Sequence, residues 1–215
     1  MRKRLLSLAL SSLTLPLFVD CGGGSGSHGS DIASSVPSPA KSLVYINPTS
    51  TGWALMKDPS STPTRLVLNV VGPSGLLTRG VGFNLQASPG LVFDTFTNGL
   101  PIQDTGVYEL QSAAPNPGDP VALTGALKPG NLLTVGIYQK RLEMTSKDSG
   151  KALCQIALKL DPAATVTVGH TFALVIPKAK VIPDDIGSNG DDLNTLAKKL
   201  RMQDISLTVG TLTAN

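Results

Sequence analysis

The sequence predicts an all-β fold, an antiparallel β-sandwich of the jelly-roll type with about nine to eleven short strands and one short helix near the C-terminus. Three observations carry this. Residues 42–215 are a succession of short apolar or alternating runs, the period-2 signature of strands. Turn signals fall between nearly all of them, supplied by 22 Gly and 16 Pro in 215 residues. The composition, 41% hydrophobic and 15% charged, is that of a chain that folds.

The strands are read in order as 43–46, 53–56, 65–71, 76–86, 91–96, 107–111, 121–127, 132–138, 152–160, 171–176 and 205–212. Asn47-Pro48, Asp58-Pro59, Gly72-Pro73, Ser88-Pro89-Gly90, Asn98-Gly99, Pro117-Gly118, Pro129-Gly130 and Asp161-Pro162 separate them. In 65–71 both the Leu66, Leu68, Val70 set and the Val67, Asn69, Val71 set are largely apolar, which places that strand near the middle of a sheet. The helix is expected from Asp191 or Asp192 as cap, with Leu193, Leu196, Ala197 and Leu200 on one face and Lys198, Lys199 and Arg201 at its C-terminal end. Thr-Val-Gly recurs at Thr134, Thr167 and Thr208 at unequal offsets, so no repeat array is present.

Ahead of the domain, Met1-Arg2-Lys3-Arg4 is a basic start and Leu5 to Val19 a largely apolar run. At 1.5 Å per residue that run spans roughly 22 Å, short of the ~30 Å hydrocarbon core, and Pro16 interrupts it. Residues 1–20 therefore read as a signal peptide. Cys21-Gly22-Gly23-Gly24-Ser25-Gly26-Ser27 follows directly. This arrangement resembles bacterial lipoproteins, with Phe18 and Asp20 where the family has a Leu-like and a small residue. The resemblance implies a lipid on Cys21 and, with Gly22 rather than Asp next to it, the outer membrane or cell surface as destination. The alternative is a periplasmic or secreted soluble protein. Residues 21–41 are rich in Gly, Ser, Ala and Pro and read as a flexible tether with a reach of roughly 25 Å, leaving 42–215 as the β-sandwich domain.

Composition excludes several function classes. Three of the 18 basic and one of the 15 acidic residues lie in the first twenty positions, so the remainder carries about +1. That offers no field for nucleic acid, and 4% aromatics offers no base-stacking surface. Two His and two Cys leave little stock for metal or nucleophilic centres. If Cys21 carries lipid, Cys154 is alone in a strand-like run and reads as a small buried hydrophobe, with His170 the one imidazole of the folded part.

A second resemblance rests on Gly80-Val81-Gly82-Phe83-Asn84-Leu85-Gln86, Pro89-Gly90-Leu91-Val92-Phe93, Asn131 to Ile137, Gly150 to Leu160 and Ile205 to Leu212. Their order resembles cohesin-like domains of the carbohydrate-binding-module sandwich type. The resemblance covers most of 65–215 and implies a fold; no partner-contact residue is carried over by it.

Few chemical candidates remain. Asp184, Asp185, Asn189, Asp191 and Asp192 form an oxygen-rich stretch, read either as a calcium site outside the EF-hand pattern or as a solvated turn before the helix. An EF-hand fails because Leu196 stands where the bidentate Glu belongs. Asp94, Asp104, Glu109 and Glu143 lie in or near strands without any two being singled out. Trp53, Tyr45, Tyr108 and Tyr138 are the candidates for a sugar-stacking platform. With no catalytic residue and no cofactor beyond that calcium, the expectation is a non-catalytic surface binding or adhesion module for a protein or glycan. The alternative is a structural or scaffold subunit of an extracellular or outer-membrane assembly.

Overall fold

A computed structural model of the chain describes residues 37–110, 118–141, 144–184 and 202–215. All of them belong to one compact unit, Val36–Asn215. The signal peptide, Cys21, the helix expected at 191–201, and Asp185, Asn189, Asp191, Asp192 and Glu143 lie outside the described residues.

The described residues form an all-β sandwich. Its strands are β1 (Leu43–Ile46), β2 (Ala54–Lys57), β3 (Leu66–Val71), β4 (Leu77–Ala87), β5 (Leu91–Asp94), β6 (Ile102–Asp104), β7 (Val121–Lys128), β8 (Leu132–Gln139), β9 (Lys147–Asp148), β10 (Cys154–Leu160), β11 (Thr171–Phe172), β12 (Leu174–Pro183), β13 (Gln203–Asp204) and β14 (Thr211–Ala214). The larger sheet runs β13-β12-β4-β8-β7, with β9 also on β4. The smaller runs β2-β3-β10-β5, with β6 also on β10. A three-stranded sheet, β1-β14-β11, completes the unit. Every strand pairing is antiparallel.

Alternation explains the core. In β8, Leu133, Val135 and Ile137 are buried while Thr134, Gly136 and Tyr138 face outward. In the smaller sheet Leu66, Leu68 and Val70 of β3 pair with Leu158, Ile156 and Cys154 of β10. These inner residues share one apolar core with Phe83, Leu85, Val135 and Ile137 of the larger sheet. Each fully buried aliphatic contributes about 1.5–3 kcal/mol relative to exposure.

A β-bulge lets β4 serve that core along its whole length. Ile182 pairs with Gly80 and Pro183 with Thr78, so Arg79 has no opposite number in β12. The extra residue reverses the alternation, and Thr78 points inward as do Val81, Phe83 and Leu85. Gly80 beside it has to be bare, because a Cβ there meets the Tyr138 side chain and lies 2.7 Å from the Ile137 carbonyl.

Two expected strands are corrected. Residues 107–110 form a turn, with Gly106 and Glu109 at φ of +83° and +57°. Tyr108 turns inward there, and its hydroxyl lies 2.9 Å from that of Thr78. The strand pairing with β10 is instead β6, just upstream. The expected strand 205–212 is interrupted: Thr208 makes a parallel bridge to Ala54, and the Gly210 amide donates to the Tyr45 hydroxyl at 2.7 Å. Only Thr211–Ala214 remains to pair with β1. At the N-terminal side the chain is already bonded into the domain from Ser38, whose carbonyl accepts from Val168 at 3.0 Å, and Ala40 donates to Val166 at 2.7 Å.

Candidate functional site

Register sets out the outer face of the larger sheet in three cross-strand rows. Lys180, Gly82, Gly136 and Thr124 form one; Lys178, Asn84, Thr134 and Ala126 the next; Val175, Gln86, Leu132 and Lys128 the third. Small and neutral side chains in the centre leave the face flat. Between the first row and Tyr138, Ile182 and Met202 lies a mostly apolar groove of about 230 Å³, floored by Gly82 and Gly136. Tyr138 and Met202, which line it, are exposed, Met202 at 55%. Exposed apolar side chains gathered around a groove mark an interaction site more often than scattered ones do.

The charge on this face is mostly of one sign. The strands β4, β7, β8 and β12 carry Arg79, Lys128, Lys178 and Lys180 and no Asp or Glu. Arg79 is drawn down against the Met144 carbonyl (2.6 Å) and Asp184 (3.1 Å). Asp204 on β13 sits 2.9 Å from Lys180, whose ammonium holds the carboxyl below the usual range.

The outer face of the smaller sheet is different. Asp58 accepts from the side-chain amides of Asn69 (2.7 Å) and Gln155 (3.0 Å) and from the Ser60 amide (2.8 Å). Burial pushes its carboxyl up, but the bonds from Ser60, Asn69 and Gln155 outweigh this and hold it below the ordinary value. Asp94 bonds Lys159 and Arg65, both at 2.7 Å, and Lys159 foremost holds its carboxyl low. The Arg65 guanidinium also rests 4.6 Å from the centre of the Phe96 ring. Ser61 bonds the Val67 amide and carbonyl, and Val67 and Ala157 are buried although they lie on this outer side. The polar groups of this face are thus turned on one another.

The residues with catalytic chemistry do not converge. Asp94 pairs with Ala157 on the outer side of β10, and Asp104 pairs with Cys154 on the inner side. Glu109 is 2.6 Å from Lys147. Burial raises the Asp104 carboxyl despite the Gly106 amide 2.8 Å away. Cys154 is fully buried, and its thiol is pushed up to about 12 by burial and then by Asp104, so it is a core residue and not a thiolate nucleophile. The His170 ring packs edge-on against Phe172 at 4.8 Å.

Of the four aromatics considered for sugar stacking, Trp53, Tyr45 and Tyr108 are buried and Tyr138 is exposed. Of the five residues considered for calcium, Asp184 is described and is engaged by Arg79. Among the described residues no group of three or more His, Cys, Asp or Glu is placed to hold a metal ion. Another cleft, of about 820 Å³, lies where Gln86–Val92 meets Gly130, Asn131 and Asp161. Its polar groups are committed internally: the Asn131 amide donates to the carbonyls of Leu91 (2.9 Å) and Ala87 (3.1 Å), and Ser88 Oγ accepts from Ala173.

Fold and face together define an antiparallel β-sandwich with one closed and one open outer surface. No protein-family model and no curated protein matches the chain. Among solved structures it is similar to a non-cellulosomal cohesin from the archaeon Archaeoglobus fulgidus, with 9% identity over 80% of this chain and 90% of that one, at a TM-score of 0.41. It is similar also to a type II cohesin domain from the cellulosome of Acetivibrio cellulolyticus (7% identity, 76% and 93% covered, TM-score 0.44). A third is the cohesin module of a family 33 glycoside hydrolase from Clostridium perfringens (7% identity, 80% and 99% covered, TM-score 0.37).

Proposed function

We propose that this chain is an exported, non-catalytic recognition module that binds a protein partner through the outer face of its larger sheet. The observation that carries the reading is the contrast between the two outer faces. One has its charged groups paired with one another; the other offers a flat surface around an apolar groove, where Lys128, Lys178 and Lys180 are set against the single carboxylate of Asp204 on β13. Among the described residues no carboxylate pair or thiolate stands beside that groove, which suits the surface to association. In this reading residues 1–20 direct export, lipid on Cys21 anchors the chain at the outer membrane or cell surface, and the part of the 21–41 stretch ahead of Ser38 holds the domain off it.

A surface substitution tests the face. Thr134 stands at its centre and Val92 on the outer side of the smaller sheet. Thr134→Lys abolishes binding of the labelled mature chain to intact cells, whereas Val92→Lys retains it. The reverse pattern overturns the reading. Mass spectrometry of the mature amino terminus tests the anchor: a lipid-bearing Cys21 is expected, and an unmodified start beyond it removes the anchor.

The scaffold alternative draws on one feature. Among the described strands β7 pairs only with β8, so its other edge has no described strand laddered to it. Assembly of the purified chain along that edge would appear as ordered oligomers in sedimentation, and Thr124→Pro would abolish them.

A further inference from the structure

Gly136 has no structural reason to be glycine. It lies inside β8, outside any turn and outside the left-handed region, and a Cβ there meets nothing within 4 Å. Other strand glycines are hemmed in: Gly80 by Tyr138, Gly125 by Ile102, 2.9 Å from where its Cβ would sit, and Gly82 by the Val135 carbonyl at 3.3 Å. Glycine inside a strand weakens it, and where packing does not require one it marks close approach by something from outside. Directly across the ladder stands Gly82. Two bare positions side by side open a slot in the sheet, and Tyr138, Ile182 and Met202 wall it with apolar surface.

We propose that this slot receives a single aliphatic side chain from an acidic segment of the partner protein, seated over Gly82 and Gly136 with a carboxylate beside Lys178. The inference rests on the reading of the larger face as the binding face and specifies its partner. The volume, about 230 Å³, is below the ~300 Å³ where small-molecule pockets begin, which fits an anchoring side chain. Charge complementarity selects the partner's sign: strands β4, β7, β8 and β12 supply cations and no carboxylate, and Asp204 of β13 meets Lys180 at 2.9 Å, which leaves Lys178 and Lys128 to set a positive balance on the face. The competing occupant is the chain's own segment 185–201, which leaves at Asp184 and returns at Met202, a wall of the slot.

The mature chain, isotope-labelled for NMR, is titrated with three synthetic peptides: one with a central leucine between glutamates, one with alanine at the centre, and one with leucine between lysines. The leucine–glutamate peptide is expected to shift the amide signals of Gly82 and Gly136. The alanine peptide is expected to bind roughly tenfold more weakly or worse. Gly136→Val, whose side chain fills the slot, is expected to melt no lower than the parent and to lose binding by a similar factor. Unmoved Gly82 and Gly136 signals with every peptide, or equal affinity for the lysine peptide, overturn the proposal. So do contacts from Leu193 or Leu196 methyls to Gly136 in the free chain, which would make the slot an internal seat. The cell-binding assay separates two failures. If Gly136→Val binds cells as the parent does while Thr134→Lys does not, the slot falls and the face stands; if Thr134→Lys also binds, the face itself falls.

Discussion

The two sheets share one core and present opposite outer surfaces. On the smaller sheet the charged groups close on neighbours inside the molecule: Asp58 serves Asn69 and Gln155, and Asp94 serves Arg65 and Lys159. On the larger sheet Lys178, Asn84 and Thr134 stand in a row with no carboxylate among its four long strands, and Gly82 faces Gly136 in the next. A surface whose hydrogen bonds and charges are already spent internally gains little by being covered, because covering it desolvates groups that are already paired. The open face loses little and buries apolar area.

The largest effects belong to the common core and test whether one core serves both faces. Ile156→Ala removes a fully buried side chain of β10 and should cost about 2–5 kcal/mol in chemical denaturation. A loss under about 1 kcal/mol would mean that the smaller sheet is not seated on the larger one. Next come two glycines of the larger sheet. Gly80→Val drives a side chain into Tyr138 and the Ile137 carbonyl and should destabilise by about 1–3 kcal/mol or more, whereas Gly136→Val should fall between neutral and a gain of about 0.5–1 kcal/mol.

Changes on the smaller face should alter stability without altering binding. Asp58→Ala leaves the amides of Asn69 and Gln155 without their acceptor and should cost about 1–3 kcal/mol, with cell binding unchanged. Lys178→Glu on the larger face should do the reverse, moving stability by no more than about 0.5 kcal/mol while weakening binding. A Lys178→Glu variant that binds normally would break the comparison.

Acid titration gives the smallest effect. Asp58 and Asp94 have folded pKa values below the ordinary carboxylate value, so their contribution is present above that value and is lost as pH falls through the folded ones. Asp104 is raised, so its contribution is complete below the ordinary value and is lost as pH rises through the folded one. Asp94→Asn should therefore flatten the loss of stability in acid. Asp104→Asn, which can still accept from Gly106, should hold or raise the neutral-pH midpoint. A fall in that midpoint would show that the Asp104 charge is stabilising.

The fold was legible because alternation is local. The pattern of β8 and the boundaries of β1 follow from a few adjacent residues, and the Pro and Gly turns from fewer still. The bulge at Arg79 was not, since nothing in Thr-Arg-Gly says that one residue lacks a partner across the ladder. The turn at 106–110 was missed because Val-Tyr is strand-like by propensity, while Gly106 and the burial of Tyr108 decide its shape. The chemical residues were each visible, but their separation onto opposite sides of β10 is a matter of register. For the same reason the open face was hidden. Gly82, Gly136, Thr124 and Lys180 come from four strands and meet in a row only after pairing is known. The one local sign was glycine inside otherwise apolar strands.

The most direct test places a photo-reactive side chain at Thr124 on the larger face and at Gln103 on the smaller one, and irradiates each chain bound to intact cells. The account predicts a discrete protein adduct from Thr124 and none from Gln103. An adduct from Gln103 with none from Thr124 would contradict it.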